Sequence, residues 1–386
     1  MNRIPQQCFL FVLLSIFSIA WVVAAEQGRV LQVGPGKEFI FPSVAAQFAI
    51  DGDVIEIDAA GIYQNDHVMW TQNNITIKGV NGRPHLHSFG LIPNRKGIWV
   101  IQGNGVTISN IEMSGARVKD RNGAAIRLEG ENFTLSECFF HDNENGLLAG
   151  MHQPESKVTI ENCEFSFNGK GGGGQTHNVY IGHVGSFIFR NNYSHHAYSG
   201  HLVKSRAVKS YILYNRLFEG NSSYSIDLSS GGYGLVMGNV LYQGPDTENS
   251  ALLTFGPEGL THKLNVLDVF HNTFLNERHS GAFIKVKEGA KASVINNLFV
   301  GNGVPVIGKS DFSNNVQEKD VFEHFGPDAV VIKDKFVSLM KDKGRPISSY
   351  EGDYTQPEYQ YVNDRLVKRV KLGLQCDIGA TELEKP

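Results

Sequence analysis

The sequence predicts an all-β fold: a single-stranded right-handed parallel β-helix, with a capping helix at its N-terminal end and an irregular cap at its C-terminal end. Short runs rich in β-branched and aromatic residues recur about every 24 residues through the middle of the chain, separated by Gly and Asn. Between residues 100 and 310, no stretch keeps the 3.6-residue periodicity of an amphipathic helix. The middle of the chain is therefore interpreted as stacked β-coils.

The repeat emerges when the β-rich runs are aligned on one polar position. Successive aligned positions are 27, 25, 29, 24, 24, 33 and 25 residues apart. A unit this short cannot bury its apolar face alone and must stack on its neighbours. Leucine-rich repeats have similar periods, but their leucine framework is missing. We interpret the aligned residues as structural, either in an internal side-chain ladder or in left-handed turns. They are Asn110, Glu137, Asn162, Asn191, Asn215, Asn239, Asn272 and Asn297.

The two ends of the chain differ from the middle. Residues 1–25 have one basic residue, an apolar run and a small-residue site ending at Ala25, which predicts a cleaved secretory signal peptide. The run is shorter than the roughly 20 apolar residues of a spanning helix, so no membrane span is expected after cleavage. Residues 26–310 are predicted to be the β-helix, entered through a short helix near Pro42–Phe48. Residues 311–386 are predicted to be a capping segment, helical within Lys333–Lys343. A secreted or periplasmic monomer is expected.

Three features together resemble the pectin-lyase-like superfamily of secreted β-helix proteins. They are the sequence DGDVIEI at residues 51–57, the stacked Asn-rich coils, and the ending Asp377-Ile378-Gly379-Ala380. The resemblance covers roughly residues 30–310. It implies the fold much more specifically than the activity, because lyases, epimerases, hydrolases and adhesins share this scaffold.

One segment of the chain has an unusual charge. No Asp or Glu lies between Glu164 and Glu219, and the formal charge of this segment is +6, whereas the rest of the mature chain is −11. Such a segment predicts an anionic partner, for which we expect an acidic polysaccharide or oligosaccharide rather than nucleic acid. Its basic residues are Lys170, Arg190, Lys204, Arg206, Lys209 and Arg216, accompanied by His177, His183, His195, His196 and His201.

The repeat spacing predicts which of these residues are neighbours. Residues 24 apart should lie on adjacent rungs about 4.8 Å apart, which places Tyr180 beside Lys204, and His177 beside His201. Strand alternation puts Tyr180, Lys204 and Arg206 on one outer face. The same parity turns the two histidines inward unless a turn begins near them. A lone Lys or Arg on such a face is usually only a solvated charge, and the hypothesis of a site rests on the three donors lying together.

Uronate chemistry would use such a set. Removal of the C5 proton requires a cation that neutralises the adjacent carboxylate and a base within hydrogen-bond reach, and it leads to epimerisation or β-elimination. The catalytic candidates are Lys204, Arg206, Tyr180, His177 and His201. The substrate-binding candidates are Asn178, His183, His195, His196 and Lys209. No cofactor and no metal site are predicted.

Two families are similar to parts of this segment. Gly200–Arg206 followed by Asn215 is similar in layout to the coils that hold the catalytic arginine of alginate C5-epimerases, and Lys204-Ser205 resembles the lysine-serine pair of chondroitinase-B-type lyases. The epimerase Asp-Pro-His-Asp motif is replaced here by the sequence THNVY at residues 176–180. The lyases' calcium-binding carboxylates and next-coil arginine are also missing.

Two other functions remain open from the sequence. Non-catalytic binding or guiding of an exported polysaccharide would use the same cationic groove without a base. Glycoside hydrolysis needs two positioned carboxyl groups, and only Asp227 and Asp246 stand as isolated candidates near the segment.

Overall fold

A computed structural model describes residues 28–171, 175–220, 222–327, 329–362 and 365–383. The predicted signal peptide, residues 1–25, lies outside the described residues. Within the described ranges the chain forms 35 strands and two seven-residue helices. Among the described residues, no helix meets the length and hydrophobicity that a membrane-spanning segment requires.

The first half of the chain holds helix α1 (Pro42–Phe48) and sixteen strands. The strands are β1 (Val30–Val33), β2 (Val54–Asp58), β3 (Tyr63–Gln64), β4 (Val68–Trp70), β5 (Thr76–Val80), β6 (His85–His87), β7 (Gly97–Ile101), β8 (Thr107–Ser109), β9 (Glu112–Ser114), β10 (Ala124–Leu128), β11 (Phe133–Ser136), β12 (Phe139–His141), β13 (Asn145–Glu161), β14 (Glu164–Ser166), β15 (Val179–Arg190) and β16 (Tyr193–His195).

The second half holds nineteen strands and helix α2 (Asp334–Met340). The strands are β17 (Val203–Ser205), β18 (Lys209–Leu213), β19 (Arg216–Phe218), β20 (Ile226–Leu228), β21 (Tyr233–Met237), β22 (Val240–Gln243), β23 (Ala251–Phe255), β24 (Val266–Phe270), β25 (Thr273–Asn276), β26 (Ala282–Val286), β27 (Lys291–Ile295), β28 (Leu298–Gly301), β29 (Val304–Ile307), β30 (Asp311–Ser313), β31 (Val316–Glu318), β32 (Phe322–Phe325), β33 (Val330–Ile332), β34 (Tyr359–Val362) and β35 (Arg365–Lys368).

The strands stack in parallel as a solenoid. One sheet has 20 strands and another has 11, and each coil contributes to both. The 20-stranded sheet consists of two columns of strands joined where β13 and β15 run through the corner between them. The solenoid therefore has three faces, and the predicted all-β parallel β-helix is confirmed.

Alternation along each strand separates the core from the surface. In β15 the side chains of Val179 and Ile181 are fully buried while Tyr180 between them is partly exposed. The inward side chains stack on those of the next coil, as Phe274 does on Phe299 with ring centroids 5.0 Å apart. Each residue on the outer face is thus placed in a column by the coils above and below it.

The aligned repeat residues occupy two adjacent structural positions, so both predicted roles occur. One group takes positive φ angles between 55° and 59° in left-handed turns: Asn110, Glu137, Asn162 and Asn191. The other group forms a buried ladder in which each side-chain Nδ2 donates to the next Oδ1 at 2.9–3.0 Å: Asn215, Asn239, Asn272 and Asn297. The two positions are offset by one residue, because the left-handed residue of each later coil, such as Tyr214, directly precedes the ladder asparagine.

The C-terminal residues lie along the side of the solenoid. Parallel stacking continues through β31, slightly beyond the predicted boundary at residue 310. The chain then runs back over earlier coils, where the Tyr350 N–H donates to Asp268 at 2.6 Å and the Ala380 N–H donates to Thr273 at 3.0 Å. Helix α2 forms within the predicted helical stretch, and Met340 at its end is fully buried.

Candidate active site

One column of outward side chains crosses the middle of the 20-stranded sheet. Strand register places Leu148 beside Tyr180, Tyr180 beside Lys204, and Lys204 beside Asp227. Arg127 stands one rung before Leu148. A cleft of about 430 Å³ opens over this column. Its walls are Asn122, Arg127, Leu148, Gly150, Gln175, His177, Tyr180, Lys204, Arg206 and Glu258.

Tyr180 and Lys204 are on adjacent rungs and the same outer face, as the repeat phase predicts. The flanking Val179 and Val203 point into the core and are fully buried. Lys204 is on the outer face but not open to solvent, because only 10% of its side chain is exposed. Neighbouring carboxylates cover it.

Two carboxylates hold the Lys204 ammonium. Its Nζ lies 3.1 Å from Asp227 Oδ2 and 2.8 Å from Glu258 Oε1. Asp227 comes from the next rung, and Glu258 comes from a loop more than two coils later in the sequence. The two carboxylates are thus brought close together by a cation that both of them contact.

Arg206 joins Glu258 to Tyr180. Its Nε and Nη2 form a fork with the carboxylate of Glu258, each at 2.7 Å. Its Nη1 donates to the Tyr180 hydroxyl, and its guanidinium carbon lies 5.0 Å from the centroid of the Tyr180 ring. A guanidinium can only donate, so the Tyr180 oxygen is the acceptor and its own proton is free to point elsewhere.

Glu258 is delivered by the loop that follows β23. The Glu258 N–H donates to the Ser229 carbonyl at 3.0 Å, and the Thr261 N–H donates to the Ser230 carbonyl at 3.0 Å. Partial burial opposes ionisation of Glu258, but hydrogen bonds and charges from Arg206 and Lys204 outweigh it and lower the pKa of Glu258 to about 2. The carboxylate is therefore ionised throughout the physiological range.

Asp227 has the opposite environment. It is 2% exposed, and burial raises its pKa, although Lys204 and a 2.7 Å hydrogen bond from the Ser229 hydroxyl act in the other direction. Its Oδ2 accepts all of the polar contacts, while Oδ1 is buried without a partner among the described residues. Asp227 lies beneath Lys204 and does not line the cleft.

His177 and His201 stack beside the column, because the chain turns before each strand begins. Their ring centroids are 4.8 Å apart, and His177 lines the cleft. The His201 N–H donates to His177 Nδ1 at 3.0 Å, and the Tyr224 N–H donates to His201 Nδ1 at 3.3 Å. Both rings therefore keep Nδ1 unprotonated and carry their proton on Nε2.

The two imidazoles are neutral proton donors. Burial and the nearby cations keep the pKa of His177 well below its ordinary value, and burial with Lys204 lowers the pKa of His201 to about 3. The Nε2 of His201 lies 3.3 Å from Asp227 Oδ2. Gly200 makes the stack possible: its φ is +72°, and a Cβ there would lie 2.0 Å from the Thr176 carbonyl oxygen.

Arg127 is a cation of the cleft that the sequence interpretation missed. Within the described parts of the chain it makes no ion pair or side-chain hydrogen bond, and its guanidinium extends over Gly150 on the next coil. Strand spacing places it two rungs, about 10 Å, from Tyr180. Because it lies outside the acid-free segment, charge composition alone did not single it out.

The predicted cationic surface is corrected by the structure. Each of the six basic residues of the acid-free segment has a partner on a neighbouring coil or on the C-terminal segment, so the formal charge of +6 is largely neutralised in space. The pairs are Lys170 with Asp142, Arg190 with Glu161, Lys204 and Arg206 with Glu258, Lys209 with Glu351, and Arg216 with the Pro327 carbonyl. The sequence window missed these acids because Asp142 and Glu161 lie one coil earlier, Glu258 lies in a loop about two coils later, and Glu351 lies in the C-terminal segment.

The predicted substrate-binding residues are not all brought together. Asn178 is fully buried, and its amide donates to Ser194 Oγ and the His195 carbonyl at 3.0 Å, so it cannot reach the cleft. Lys209 lies in the other strand column of the sheet and pairs with Glu351 at 2.6 Å. His183 lies near the cleft, with its ring 6.3 Å from that of His262, which in turn contacts the Arg206 carbonyl at 3.2 Å.

His195 and His196 belong to the 11-stranded sheet. His195 contacts Glu164 at 3.2 Å and packs on Tyr193, with centroids 4.1 Å apart. His196 lines a larger cleft of about 810 Å³, walled by aromatic side chains such as Phe218. The charged residues that line this cleft are mostly acidic, namely Glu219, Glu277, Asp320 and Glu323 with Lys319, whereas the smaller cleft is lined by Arg127, Lys204 and Arg206. Since an anionic ligand favours cations, we regard the smaller cleft as the candidate active site.

Comparison with known proteins supports the fold. Residues 60–173 and 150–321 match the family described as the right-handed β-helix region, and the chain belongs to this family. No curated protein matches the sequence.

Among solved structures, pectate lyase Pel9A is similar with a TM-score of 0.53 and 14% identity, over 93% of this chain and 97% of that chain. An alginate lyase from Paenibacillus sp. has a TM-score of 0.46 and 12% identity, over 76% and 98% of the two chains. Tailspike protein gp49 from Acinetobacter baumannii bacteriophage Fri1, a capsular polysaccharide depolymerase, has a TM-score of 0.42 and 12% identity, over 84% and 66%. At such identities the likeness is one of fold, and function must be argued from side chains.

Proposed function

We propose that this protein acts on an acidic, uronate-containing polysaccharide by removing the C5 proton, leading to β-elimination or epimerisation. The observation that carries the proposal is one cleft that holds Arg127, a guanidinium without an ion pair to any described residue, and a tyrosine hydroxyl anchored on a second guanidinium. The cleft groups and their support add up to three cations, Arg127, Lys204 and Arg206, against two carboxylates. One positive charge is therefore left over for a substrate carboxylate.

Each group has a definite task in this reaction. Arg127 neutralises the uronate carboxylate and so stabilises the negative charge that develops at C5. Tyr180 takes the C5 proton in its deprotonated form, which the Arg206 guanidinium stabilises by hydrogen bonding. The electron pair of the broken C5–H bond then forms the C4–C5 double bond as the C4–O bond breaks, or a proton returns to C5 from the opposite face.

The remaining polar groups position the proton-transfer residue. Glu258 fixes Arg206 by its fork and Lys204 by its second contact, and Asp227 holds Lys204 from below. His177 offers an Nε2–H in the cleft, which suits protonation of the departing oxygen or hydrogen bonding to a sugar hydroxyl. Lys204, with a carboxylate on either side, is interpreted as a structural cation of the site.

Non-catalytic binding is the second candidate. The ion pairs of Lys204 and Arg206 favour it, because both residues are already held by carboxylates and Tyr180 alone is left to act as a base. Hydrolysis is less well supported. Asp227 and Glu258 are close together, but Asp227 is buried beneath Lys204, whereas a glycosidase needs both carboxyl groups against the scissile bond.

The test is to incubate residues 26–386 with a panel of acidic polysaccharides. Ultraviolet absorbance detects unsaturated uronates, and proton NMR in heavy water detects epimers and deuterium at C5. Tyr180→Phe removes one hydroxyl and should lower turnover by about 100-fold or more, with little change in glycan affinity. Arg127→Gln should weaken both. Arg190→Gln, an exposed ion-paired arginine on another strand column, is the matched control.

The outcomes separate the candidates. Turnover lost in Tyr180→Phe supports proton abstraction. Glycan binding that depends on Arg127 without any change at C5 in the wild type supports the binding function instead. If the wild type neither binds nor alters any acidic glycan of the panel, the proposed function is wrong.

We further propose that residues 1–25 direct export and that the mature monomer works outside the cytoplasm. Mass spectrometry of the protein recovered from an exporting host should show a chain that begins at Glu26. Recovery of the uncleaved chain from the cytoplasm would contradict export.

A further inference from the structure

A histidine and carboxylate cluster lies on the 11-stranded sheet, away from the cleft. Three consecutive coils contribute one residue each: His85 from β6, Glu112 from β9 and His141 from β12. One ligand atom from each residue lies within 4.8 Å of the other two. We propose that this cluster binds one divalent transition-metal ion, such as zinc, with a fourth position open to solvent.

The distances fit such an ion. Glu112 Oε1 is 3.2 Å from His141 Nε2 and 3.6 Å from His85 Nδ1. A tetrahedral zinc with bonds of about 2.0–2.1 Å separates its ligand atoms by about 3.3 Å. Two imidazoles and one carboxylate are also a ligand set that suits zinc and its neighbours in the first transition row rather than calcium or magnesium.

The hydrogen bonding of His141 sets its Nε2 against a carboxylate oxygen of Glu112. Its Nδ1 lies 2.8 Å from Asp142 Oδ2, and an ionised carboxylate can only accept, so Nδ1 carries the proton. In the neutral ring Nε2 is then a lone pair, and it faces a Glu112 oxygen at 3.2 Å. Two acceptors at this distance need a proton or a metal ion between them. A carboxylate behind the outer nitrogen is also the common arrangement for histidines that bind metals.

His85 is oriented in the same way by a hydroxyl. Its Nε2 lies 2.7 Å from Ser114 Oγ, and the same oxygen lies 2.7 Å from His87 Nδ1. Ser114 can accept from His85 while donating to His87, which leaves His85 Nδ1 as a lone pair toward Glu112. Both histidines thus have an outer nitrogen held by a second group and an inner nitrogen aimed at one point.

The cluster is accessible and partly preformed. The exposed fractions of the side chains of His85, Glu112 and His141 are 41%, 25% and 19%, so an ion can enter and keep a water ligand. The sequence gives no metal motif, because the three residues are 27 and 29 positions apart and only coil stacking brings them together. A bound ion would clamp three coils near the N-terminal end of the solenoid.

The experiment uses the mature chain, without any histidine tag, after removal of metals with a chelator. Titration with zinc by calorimetry should show one site per chain, and cobalt should give the visible absorption of a four-coordinate ion. Glu112→Gln and His141→Asn should abolish both signals. Asp142→Asn should keep one site but weaken it about 10–100-fold.

The matched control is the double variant His152→Gln, His183→Gln. These two rings are 5.2 Å apart on the 20-stranded sheet but form no ion pair within the described residues, so their loss should leave zinc binding unchanged. Zinc should also raise the melting temperature of the wild type but not that of Glu112→Gln. A cooperative melting transition in both proteins shows that both are folded. No zinc binding by the wild type, or equal binding by Glu112→Gln and His141→Asn, would overturn the proposal.

Discussion

Replacing Glu258 by Gln tests the polar network that organises the candidate active site. The substitution keeps the size of the side chain and removes its charge, so Arg206 loses its ionic partner while Lys204 keeps Asp227. The folded-state pKa of Glu258 is about 2, against an ordinary value of 4.5. A lowering of that size corresponds to about 3 kcal/mol for a buried group. Because 41% of the side chain is exposed, screening reduces the expected loss of stability to about 1–2 kcal/mol.

The pH dependence of the stability difference between the wild type and Glu258→Gln tests whether the charge of Glu258 causes it. A carboxyl group with a lowered folded-state pKa contributes its full stabilisation above its unfolded-state pKa, and loses it as the pH falls toward the folded-state value. The melting temperature of Glu258→Gln should therefore lie about 2–4 °C below that of the wild type from pH 7 to pH 5. The difference should shrink between about pH 4.5 and pH 2.

Glu288→Gln is the matched control, because Glu288 is exposed and has no ion pair with a described residue. It should melt like the wild type at every pH. Scanning calorimetry across this range would refute the reasoning if Glu258→Gln and Glu288→Gln melt alike. Glu258→Gln also removes one negative charge from the cleft, so this variant should bind an acidic glycan more tightly even if it turns the glycan over more slowly.

Three further predictions concern the scaffold and the histidines. Asn215→Ala leaves the Asn192 N–H and the Phe189 carbonyl without partners, and should cost about 2–4 kcal/mol in unfolding free energy, whereas the exposed Asn302→Ala should cost almost nothing. His201 should stay neutral in nitrogen NMR spectra down to about pH 4, because its folded-state pKa of about 3 lies below the unfolded-state value of about 6.5. Burial of the neutral ring therefore lowers the stability of the protein as the pH falls through about 6.5. Protonation of His201 near pH 6 would contradict the structure. Gly200→Ala should separate the stacked histidines and lower the melting temperature, because a Cβ at φ +72° meets the Thr176 carbonyl oxygen at 2.0 Å; an unchanged melting temperature would contradict this.

The repeat was readable from the sequence because a solenoid converts sequence spacing directly into spatial order. A repeat spacing of one coil was enough to place Tyr180 beside Lys204 and His177 beside His201. Strand parity predicted that the two histidine side chains would point into the core. They do not follow this parity, because both residues precede their strands and lie in turns, where the alternation of side chains does not apply. Local turn geometry of this kind leaves little trace in the sequence, although Gly200 marks the position.

Glu258 could not be predicted by the same arithmetic. It lies in the loop of the longest coil, between Asn239 and Asn272, where the spacing of the aligned asparagines is largest, and a loop has no fixed phase relative to the strands. The irregular spacing was the available signal, since an insertion between β23 and β24 must leave the solenoid and can fold back over an earlier rung. The hydrogen bonds of this loop to the carbonyls of Ser229 and Ser230 fix the position of Glu258.

The same geometry explains why charge counted along the sequence misjudged the surface. In a parallel solenoid the outer neighbours of a residue are about one coil away on either side, so a segment without acids still lies between acidic coils. Carboxylates of Asp142 and Glu161 approach from one side, and those of Asp227 and Glu258 from the other.

The charge that matters for binding is therefore that of the residues stacked in the column around Tyr180, not that of the acid-free sequence segment. Among the described residues Arg127 stands unpaired at one end, whereas at the other end Lys204 and Arg206 balance Asp227 and Glu258. Under the proposed function, an acidic glycan lying along this column should place the carboxylate of its reacting uronate toward Arg127, with the C5 proton toward Tyr180. Its chain should then continue over Lys204 and Arg206, where neutral hydroxyl groups meet donors and acceptors that already satisfy one another.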